Sequence, residues 1–294
     1  MRPDSLPEGL PKNSVKGFFK RSMYRTFRAC GALFKIRVAE CLQYRAAALG
    51  NASISVFWGL LQVVTFTVFY TYGNPDSAAL TLAQAVSYAW LVQSLLGLIG
   101  NLNVDGDLRE KITSGNVALE LCRPLDLYSH WFAKCAANRV GNFPWRAAIT
   151  LFAALVMPAA LRLSAPDSVM RFVLFLLSVC SAFLLCVAYS MLLTAIRVGL
   201  TWGEGPTWVF VIIGGVLSGA YLPLPLWPDF LQRALMIQPF AGLMDIPFRL
   251  YVGSIPPGDA FGAIGLQLLW TAIIVIVGKA LLHRRLNHLV VQGG

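Results

Sequence analysis

Long apolar runs separated by polar segments are the main pattern of this chain. Six runs approach or reach the roughly 20 residues that an α-helix needs to cross a hydrocarbon core of about 30 Å. The runs cover residues 51–72, 78–100, 143–163, 170–196, 206–221 and 260–282. Pro144 and Pro158 in the third run are tolerated in lipid where neighbouring helices satisfy the freed carbonyl groups. The pattern predicts an all-α polytopic membrane protein with six transmembrane helices in a single transmembrane domain, residues 49–290.

The segment before the first run, residues 1–48, predicts a polar cytoplasmic tail followed by an amphipathic helix. Over residues 15–42 apolar side chains recur at steps of three and four, while Lys and Arg occupy mostly the other faces. A basic helix with an aromatic stripe is typical of the membrane interface. A helix buried against a neighbouring domain is the alternative, and a position between lipid and a partner satisfies both.

The segment between the last two runs, residues 222–259, is neither a clean span nor a soluble domain. Its seven prolines divide it into short pieces. Residues 230–237 and 240–251 are long enough for short helices. Irregular backbone at membrane depth has to be buried in protein. We therefore predict short re-entrant or interfacial helices that form an extracytoplasmic lid.

The densest block of mixed charge, residues 105–126, lies between the second and third runs, in a predicted cytoplasmic loop of residues 101–142. Apolar residues at helical spacing are flanked there by charged ones. The apolar positions are Leu108, Ile112, Val117, Leu119 and Leu121, and the charged positions are Asp107, Arg109, Glu110, Lys111 and Glu120. Gly115 is placed to end one helical piece, and Arg123-Pro124 the next. The pattern indicates a short amphipathic helix that docks into the groove of a partner, or a helix that lies on the membrane.

Composition and charge agree with the membrane class. Of the 294 residues, 57% are apolar and only 13% are charged, about half the charged share of soluble chains. The net charge is +10, and with both termini inside, 20 of the 24 Lys and Arg residues fall on the cytoplasmic side. This bias indicates a multi-pass protein with both termini in the cytoplasm. The expected location is a bacterial-type cytoplasmic (inner) membrane. The basic residues form no separate stripe with interleaved aromatics, so nucleic acid is not expected as a partner.

The candidate chemistry disfavours an enzyme. His130, His283 and His288 have no carboxylate at metal-ligand spacing, and the six cysteines form no CxxC pair, so neither a metal site nor a disulfide is expected. The interiors of the predicted spans carry no Asp, Glu, Lys or Arg, which disfavours an ion-coupled transporter and an intramembrane enzyme. The chain contains no GxxxxGK(S/T) phosphate loop. The energy for transport is therefore expected from a partner subunit.

Two stretches, EKITSGNVALELCRPLDLY and LPLPLWPDFLQRALMIQPFAGLMDIPFRLYVG, resemble the permease subunits of ABC-2 type exporters, and the likeness covers about residues 15–290. The resemblance implies two ABC ATPase subunits that bind ATP and Mg, whereas this chain would bind no cofactor. It also implies a second permease, either another copy of this chain or a related one. The implied function is export of a hydrophobic or amphipathic drug or natural product by alternating access. The alternatives are a lipid or glycan export permease of the same class, and an ion-coupled secondary transporter.

The same resemblance implies roles for particular residues. A coupling helix at about residues 107–121 would contact the ATPase through Asp107, Leu108, Arg109, Glu110, Ile112, Gly115, Leu119, Glu120, Leu121 and Arg123. A second coupling turn would use Arg197, Trp202 and Glu204. The second and fifth spans would line the translocation path with Gln84, Gln93, Trp208, Phe210 and Gly214. A far-side gate would consist of Pro223, Trp227, Pro239, Phe240 and Pro247.

Overall fold

The structure is a computed structural model that describes residues 31–32, 34–40, 45–73, 79–100, 102–117, 120, 126–198 and 205–287. Within these ranges every regular element is a helix. Most of the predicted N-terminal amphipathic helix lies outside the described residues, although residues 34–40 are helical. Five predicted site residues also lie outside them, namely Leu119, Leu121, Arg123, Trp202 and Glu204.

Nine α-helices follow one another along the described residues after this N-terminal piece. They are α1 (Arg45–Tyr72), α2 (Leu82–Leu95), α3 (Gly106–Thr113), α4 (Leu127–Val156), α5 (Val169–Arg197), α6 (Gly205–Leu217), α7 (Asp229–Ile237), α8 (Asp245–Val252) and α9 (Ala260–Asn287). A π-helical turn, Leu96–Gly100, extends α2. Four helices are long and apolar enough to cross a membrane: α1, α2 with its π turn, α5 and α9. They match the first, second, fourth and sixth predicted runs, and α6 is a shorter apolar helix.

The core is built around α2 and α5. Helix α5 packs against α4, α8 and α9, and α1 packs against α2 and α4. The largest fully buried side chains include Trp90 and Tyr88 of α2 and Phe248 of α8. In contrast, α1 exposes large apolar side chains such as Phe57, Trp58 and Phe69. Such a face is suited to hydrocarbon, where apolar exposure carries no penalty.

Helix α4 differs from the predicted third span, 143–163, at both ends. It begins at Leu127, and its N-cap is Asp126, whose carboxylate accepts a hydrogen bond from the Ser129 N–H. It continues through Pro144. It ends at Val156, because Met157 precedes Pro158 and has a ψ of 153°, the extended conformation that a following proline favours. One helix therefore crosses the boundary predicted between the loop of residues 101–142 and the span starting at 143.

The segment of residues 222–259 contains short helices, as predicted, although the bounds differ. The piece predicted at 240–251 is divided into a 3-10 turn, Pro239–Gly242, and α8. The division is stabilised by the Asp245 N–H, which donates to the Ser218 carbonyl at 3.1 Å. Helix α8 lies in the core against α2 and α5, and residues 241–248 are buried. Helix α6 ends at Leu217, before the predicted residue 221.

Candidate functional site

Helix α3 is the described part of the predicted coupling helix. Its N-cap is Asp105, whose carboxylate accepts hydrogen bonds from the N–H groups of Asp107 and Leu108, both at 3.2 Å. The helix ends at Thr113, and Gly115 follows with a φ of 76°. This left-handed conformation favours glycine. Gly115 therefore ends the helix, as the sequence predicted.

The apolar side of α3 faces the chain itself. Leu108 is fully buried in a cluster with Trp131 of α4 and Met191 of α5, and Ile112 packs against the same cluster. Glu120 is also buried, with 6% of its surface exposed. We expected Leu108 and Glu120 to contact a partner, but α4 and α5 already cover them. An amphipathic helix must bury its apolar face, and here the nearest cover is intramolecular.

Asp107 joins three helices through ion pairs. Its carboxylate accepts from the Arg37 guanidinium at 2.6 Å, and it contacts the ammonium of Lys134. Arg37 belongs to the helical residues 34–40, Asp107 to α3 and Lys134 to α4. Burial lowers the pKa of Lys134, and the negative charge of Asp105 opposes that effect. Helix α3 is thus tied to the N-terminal helical residues 34–40 as well as to α4.

Glu120 holds the chain beyond α3 against α4. Its carboxylate accepts a hydrogen bond from the Lys111 ammonium at 2.6 Å and one from the Trp131 indole N–H at 3.4 Å. His130 Nε2 lies 3.6 Å away. Burial acts to raise the pKa of Glu120, but the hydrogen bond and charge of Lys111, with Trp131 and His130, hold that pKa below its usual value. Glu120 is therefore an anion that stabilises this end of the molecule.

Replacing Glu120 with glutamine is expected to lower the stability of the chain at pH 7 by about 1.5–3 kcal/mol, because a charge-assisted hydrogen bond becomes a neutral one. Since the pKa of Glu120 is lower in the folded state, its contribution is present above its ordinary pKa of 4.5 and is lost as the pH falls below that value. Thermal denaturation in detergent from pH 3.5 to 7 measures both effects. Glu40→Gln, at an exposed carboxylate, is the control. Equal destabilisation by both variants would contradict the assignment.

The opposite side of α3 is open to a partner. Arg109, Glu110 and Thr113 are exposed, and so are the turn residues 114–116. Among the predicted coupling residues that the structure describes, Arg109, Glu110 and Gly115 therefore lie on the accessible face. Asp107 and Ile112 are half-buried and support the helix from beneath.

A polar cavity of about 480 Å³ lies beside α3, between α1, α2, α4, α5 and α6. Four arginines line it: Arg109, Arg139, Arg146 and Arg197. Four asparagines line it as well: Asn51, Asn103, Asn138 and Asn142. Asp105 and Trp208 complete its polar and aromatic surface. Its volume is in the range of small-molecule sites.

Helix α4 supplies the largest polar contribution to the cavity. Asn138, Asn142 and Arg146 recur at steps of four residues, which places them on one face of the helix. Arg139 is 91% buried, and its Nη2 donates to Ser190 Oγ of α5 at 2.5 Å. The expected absence of charge from the span interiors is wrong for α4, because Arg146 lies within the predicted third span. Sequence analysis missed this face because it treated residues 101–142 as a water-exposed loop.

Phe210 and Gly214, two of the predicted path residues, meet the predicted gate residue Phe240. Phe240 stacks on Tyr189 with ring centroids 4.8 Å apart, and Phe210 packs against both rings. We call Tyr189, Phe210 and Phe240 the aromatic cluster. Gly214 lies against it, since a Cβ at this position would be 3.1 Å from the Phe240 ring. Tyr189 directly precedes Ser190 of the cavity, so the aromatic cluster adjoins the cavity wall.

The remaining predicted site residues occupy other places. Trp208 and Arg197 line the cavity. Gln84 and Gln93 do not line it, because Gln84 completes the capping box of α2 and donates to the Val252 carbonyl at 2.9 Å, while Gln93 is buried in the core. The predicted gate residues lie around the short helices of residues 222–259. Pro223 and Pro247 are buried, and Trp227 and Pro239 are half-buried.

Comparison with known proteins decides the family. A family model described as "ABC-2 family transporter protein" matches residues 56–293, which include α3, the aromatic cluster and the cavity lining except Asn51. The chain belongs to the ABC-2 transporter family. No curated protein matches it. ABC-2 permeases are multi-pass membrane transport subunits, generally non-catalytic, which typically work with an ABC ATPase.

Proposed function

We propose that this ABC-2 chain is the permease subunit of an exporter that moves a hydrophobic or amphipathic small molecule, such as a drug or natural product, out of the cytoplasm or the inner leaflet. One observation carries the proposal. Helix α3 exposes Glu110, while Asp105 and Arg109, at the start of the same helix, line the cavity. A movement that a partner imposes on α3 therefore reaches the cavity directly.

The proposed assembly contains two ATPase subunits, which bind ATP and Mg, and a second permease that is identical or related. The apolar face of α6 supports the second permease, because Trp208, Val209 and Ile212 are about half exposed. In this proposal α4 and α6 complete six transmembrane helices with α1, α2, α5 and α9. Both termini and α3 lie in the cytoplasm, and residues 222–259 lie on the far side of a bacterial-type inner membrane.

The proposed mechanism is alternating access. ATP binding closes the two ATPase subunits, and the exposed side of α3 moves with them. Because Leu108 and Asp107 fix α3 to α4 and α5, those helices move as a unit with it. In this proposal the aromatic cluster joins Tyr189, which precedes the cavity residue Ser190, to Phe240 of the segment of residues 222–259. A rigid-body change between two packed states would part these rings and open the path.

Reversing the charge at Glu110 is expected to reduce ATP-driven export about tenfold or more, because a like-charge contact in an interface costs several kcal/mol. The tagged chain is expressed in its native host, and a co-purifying subunit with a GxxxxGK(S/T) loop is identified and reconstituted with it. Glu110→Arg is compared with Asp229→Arg, an exposed position on α7. Normal export by Glu110→Arg, with the ATPase still bound, would show that α3 does not couple the two subunits.

A lipid or glycan exporter of the same class is the second candidate, and the arginines of the cavity favour it because such cargoes carry phosphate. An ion-coupled transporter is distinguished by its energy source. Transport that stops when a protonophore collapses the proton gradient, while ATP is held constant, would favour ion coupling over the ABC mechanism.

A further inference from the structure

We propose that the cavity beside α3 is an oxyanion site, which binds a phosphate- or sulfate-type group. The group belongs either to the head of an anionic amphiphile or to a free anion. If the chain exports as proposed above, this group is the charged end of its cargo. The binding site itself depends only on the residues of the cavity.

The charge of the lining is the first argument. Among the lining residues that the structure describes, four are arginines and one is a carboxylate, Asp105. Both oxygens of this carboxylate are engaged by the chain. One accepts from the N–H groups of Asp107 and Leu108, and the other accepts from the Asn138 amide at 2.9 Å. A lining rich in arginine attracts an anion, which guanidinium groups bind through charge-assisted hydrogen bonds.

The geometry of the arginines is the second argument. Arg109 comes from α3, Arg139 and Arg146 from α4, and Arg197 from α5, so three helices direct guanidinium groups to one space. Ser190 fixes the buried Arg139. The Nε of Arg146 is buried, and it has no hydrogen-bond partner within the part of the chain that the structure describes. Arginine recognises phosphate and sulfate through paired N–H donors, and a buried donor of this kind is costly until a ligand accepts from it.

The surroundings of the cavity also admit an alkyl chain. Trp208 lines the cavity at the start of α6 and is 54% exposed. Ile212 lies one helical turn further along α6 and is also exposed. A polar cavity that continues into an apolar helix face fits a molecule with an anionic head and an apolar tail.

Binding is tested on the purified full chain in dodecyl maltoside by isothermal titration. The probes are dodecyl phosphate, inorganic phosphate and dodecyltrimethylammonium. Dodecyl phosphate is expected to bind at least about tenfold more tightly than the cationic probe, and Arg146→Gln is expected to weaken it by a similar factor. Arg146→Lys keeps the charge but lacks the paired donors. Its affinity for dodecyl phosphate is expected to lie between those of the unmodified chain and of Arg146→Gln. Arg162→Gln, at an exposed arginine outside the cavity, is the control and is expected to bind as the unmodified chain does.

The arms of the experiment separate the possible ligands. Tight binding of dodecyl phosphate with weak binding of inorganic phosphate identifies an anionic amphiphile, whereas equal binding of the two identifies a free anion, and either result supports the site. Equal binding of the anionic and cationic probes overturns it, as does unchanged binding by both Arg146 variants. A melting curve recorded without probe shows whether each variant is folded, and Arg139→Gln provides a second lining variant if Arg146→Gln is not.

The oxyanion site and the export function fail separately. Probe binding is measured without an ATPase and without transport. An intact site in a chain that shows no ATP-driven export would leave the site in place and remove the proposed function. If Arg146→Gln and Arg139→Gln export normally and keep their affinity for the probe, the oxyanion site is overturned and the export function remains.

Discussion

Replacing Asp245 with alanine is expected to destabilise the chain by about 3–5 kcal/mol, the cost of removing one partner from a buried ion pair. Asp245 is fully buried at the start of α8, and its Oδ2 accepts from Arg249 at 3.3 Å. Its Oδ1 accepts from the Leu224 N–H at 3.1 Å and from the Tyr88 hydroxyl at 3.4 Å. Alanine leaves all three donors without this acceptor. Because these donors come from α2, α8 and the turn before α7, the whole segment of residues 222–259 is expected to loosen.

The chain contains a matched control for this variant. Asp167 and Arg171 form the same pairing at a spacing of four residues, but Asp167 is 79% exposed. Asp167→Ala is expected to change stability by at most about 1 kcal/mol, as exposed ion pairs do. Thermal denaturation of both variants in the same detergent measures the difference. Similar melting temperatures for the two variants would contradict the central position of Asp245.

The sequence predicted the long apolar helices well because their signal is strong. Helices α1, α2, α5 and α9 coincide closely with apolar runs, since each needs many consecutive apolar residues whatever it packs against. The end of the short α3 was also predicted, because Gly115 marks it by local chemistry that does not depend on the rest of the fold. Its start, at the N-cap Asp105, precedes the predicted residue 107. The family resemblance agrees with the family that the comparison shows.

The errors have a common physical cause, which is that a sequence shows a polar or apolar face but not what covers it. Leu108 was correctly placed on an apolar face, yet the cover is Trp131 and Met191 of the same chain. Arg139 and Arg146 were counted as loop charges, although α4 buries Arg139 beside α5 and half-buries Arg146. The spacing of Asn138, Asn142 and Arg146 at four-residue steps was the available signal, and it predicts a polar stripe on a helix.

Polar residues inside the core were easier to interpret. Glutamines within the spans were expected to form hydrogen bonds between helices. Gln267 of α9 accepts from Ser178 Oγ at 3.0 Å and donates to the Gly242 carbonyl at 2.7 Å. It therefore joins α9 to α5 and to the turn before α8. Gln84 is also engaged within the chain, since its Oε1 accepts from the Thr81 N–H in the capping box of α2.

Truncating Leu108 is expected to separate the coupling helix from the bundle. Leu108→Ala removes a fully buried side chain from the contact with Trp131, Cys135 and Met191, and such truncations cost about 2–5 kcal/mol. Asp107 and Glu120 still hold α3 electrostatically, so the chain is expected to fold with a lower melting temperature. In the proposed mechanism, the docked position of α3 carries movement from its exposed side to the cavity. Export should therefore fall with the loss of packing even though Leu108 touches no partner.

Two comparisons separate this effect from a direct contact. Leu108→Met nearly conserves volume and is expected to cost less than about 1.5 kcal/mol, with export close to that of the unmodified chain. Glu110→Arg is expected to reduce export without lowering the melting temperature, because its side chain is exposed. Leu108→Ala is expected to reduce both. Full export by Leu108→Ala, together with a lowered melting temperature, would mean that α3 transmits no movement through its buried face, and the path of coupling would then have to run through the ion pairs of Asp107 alone.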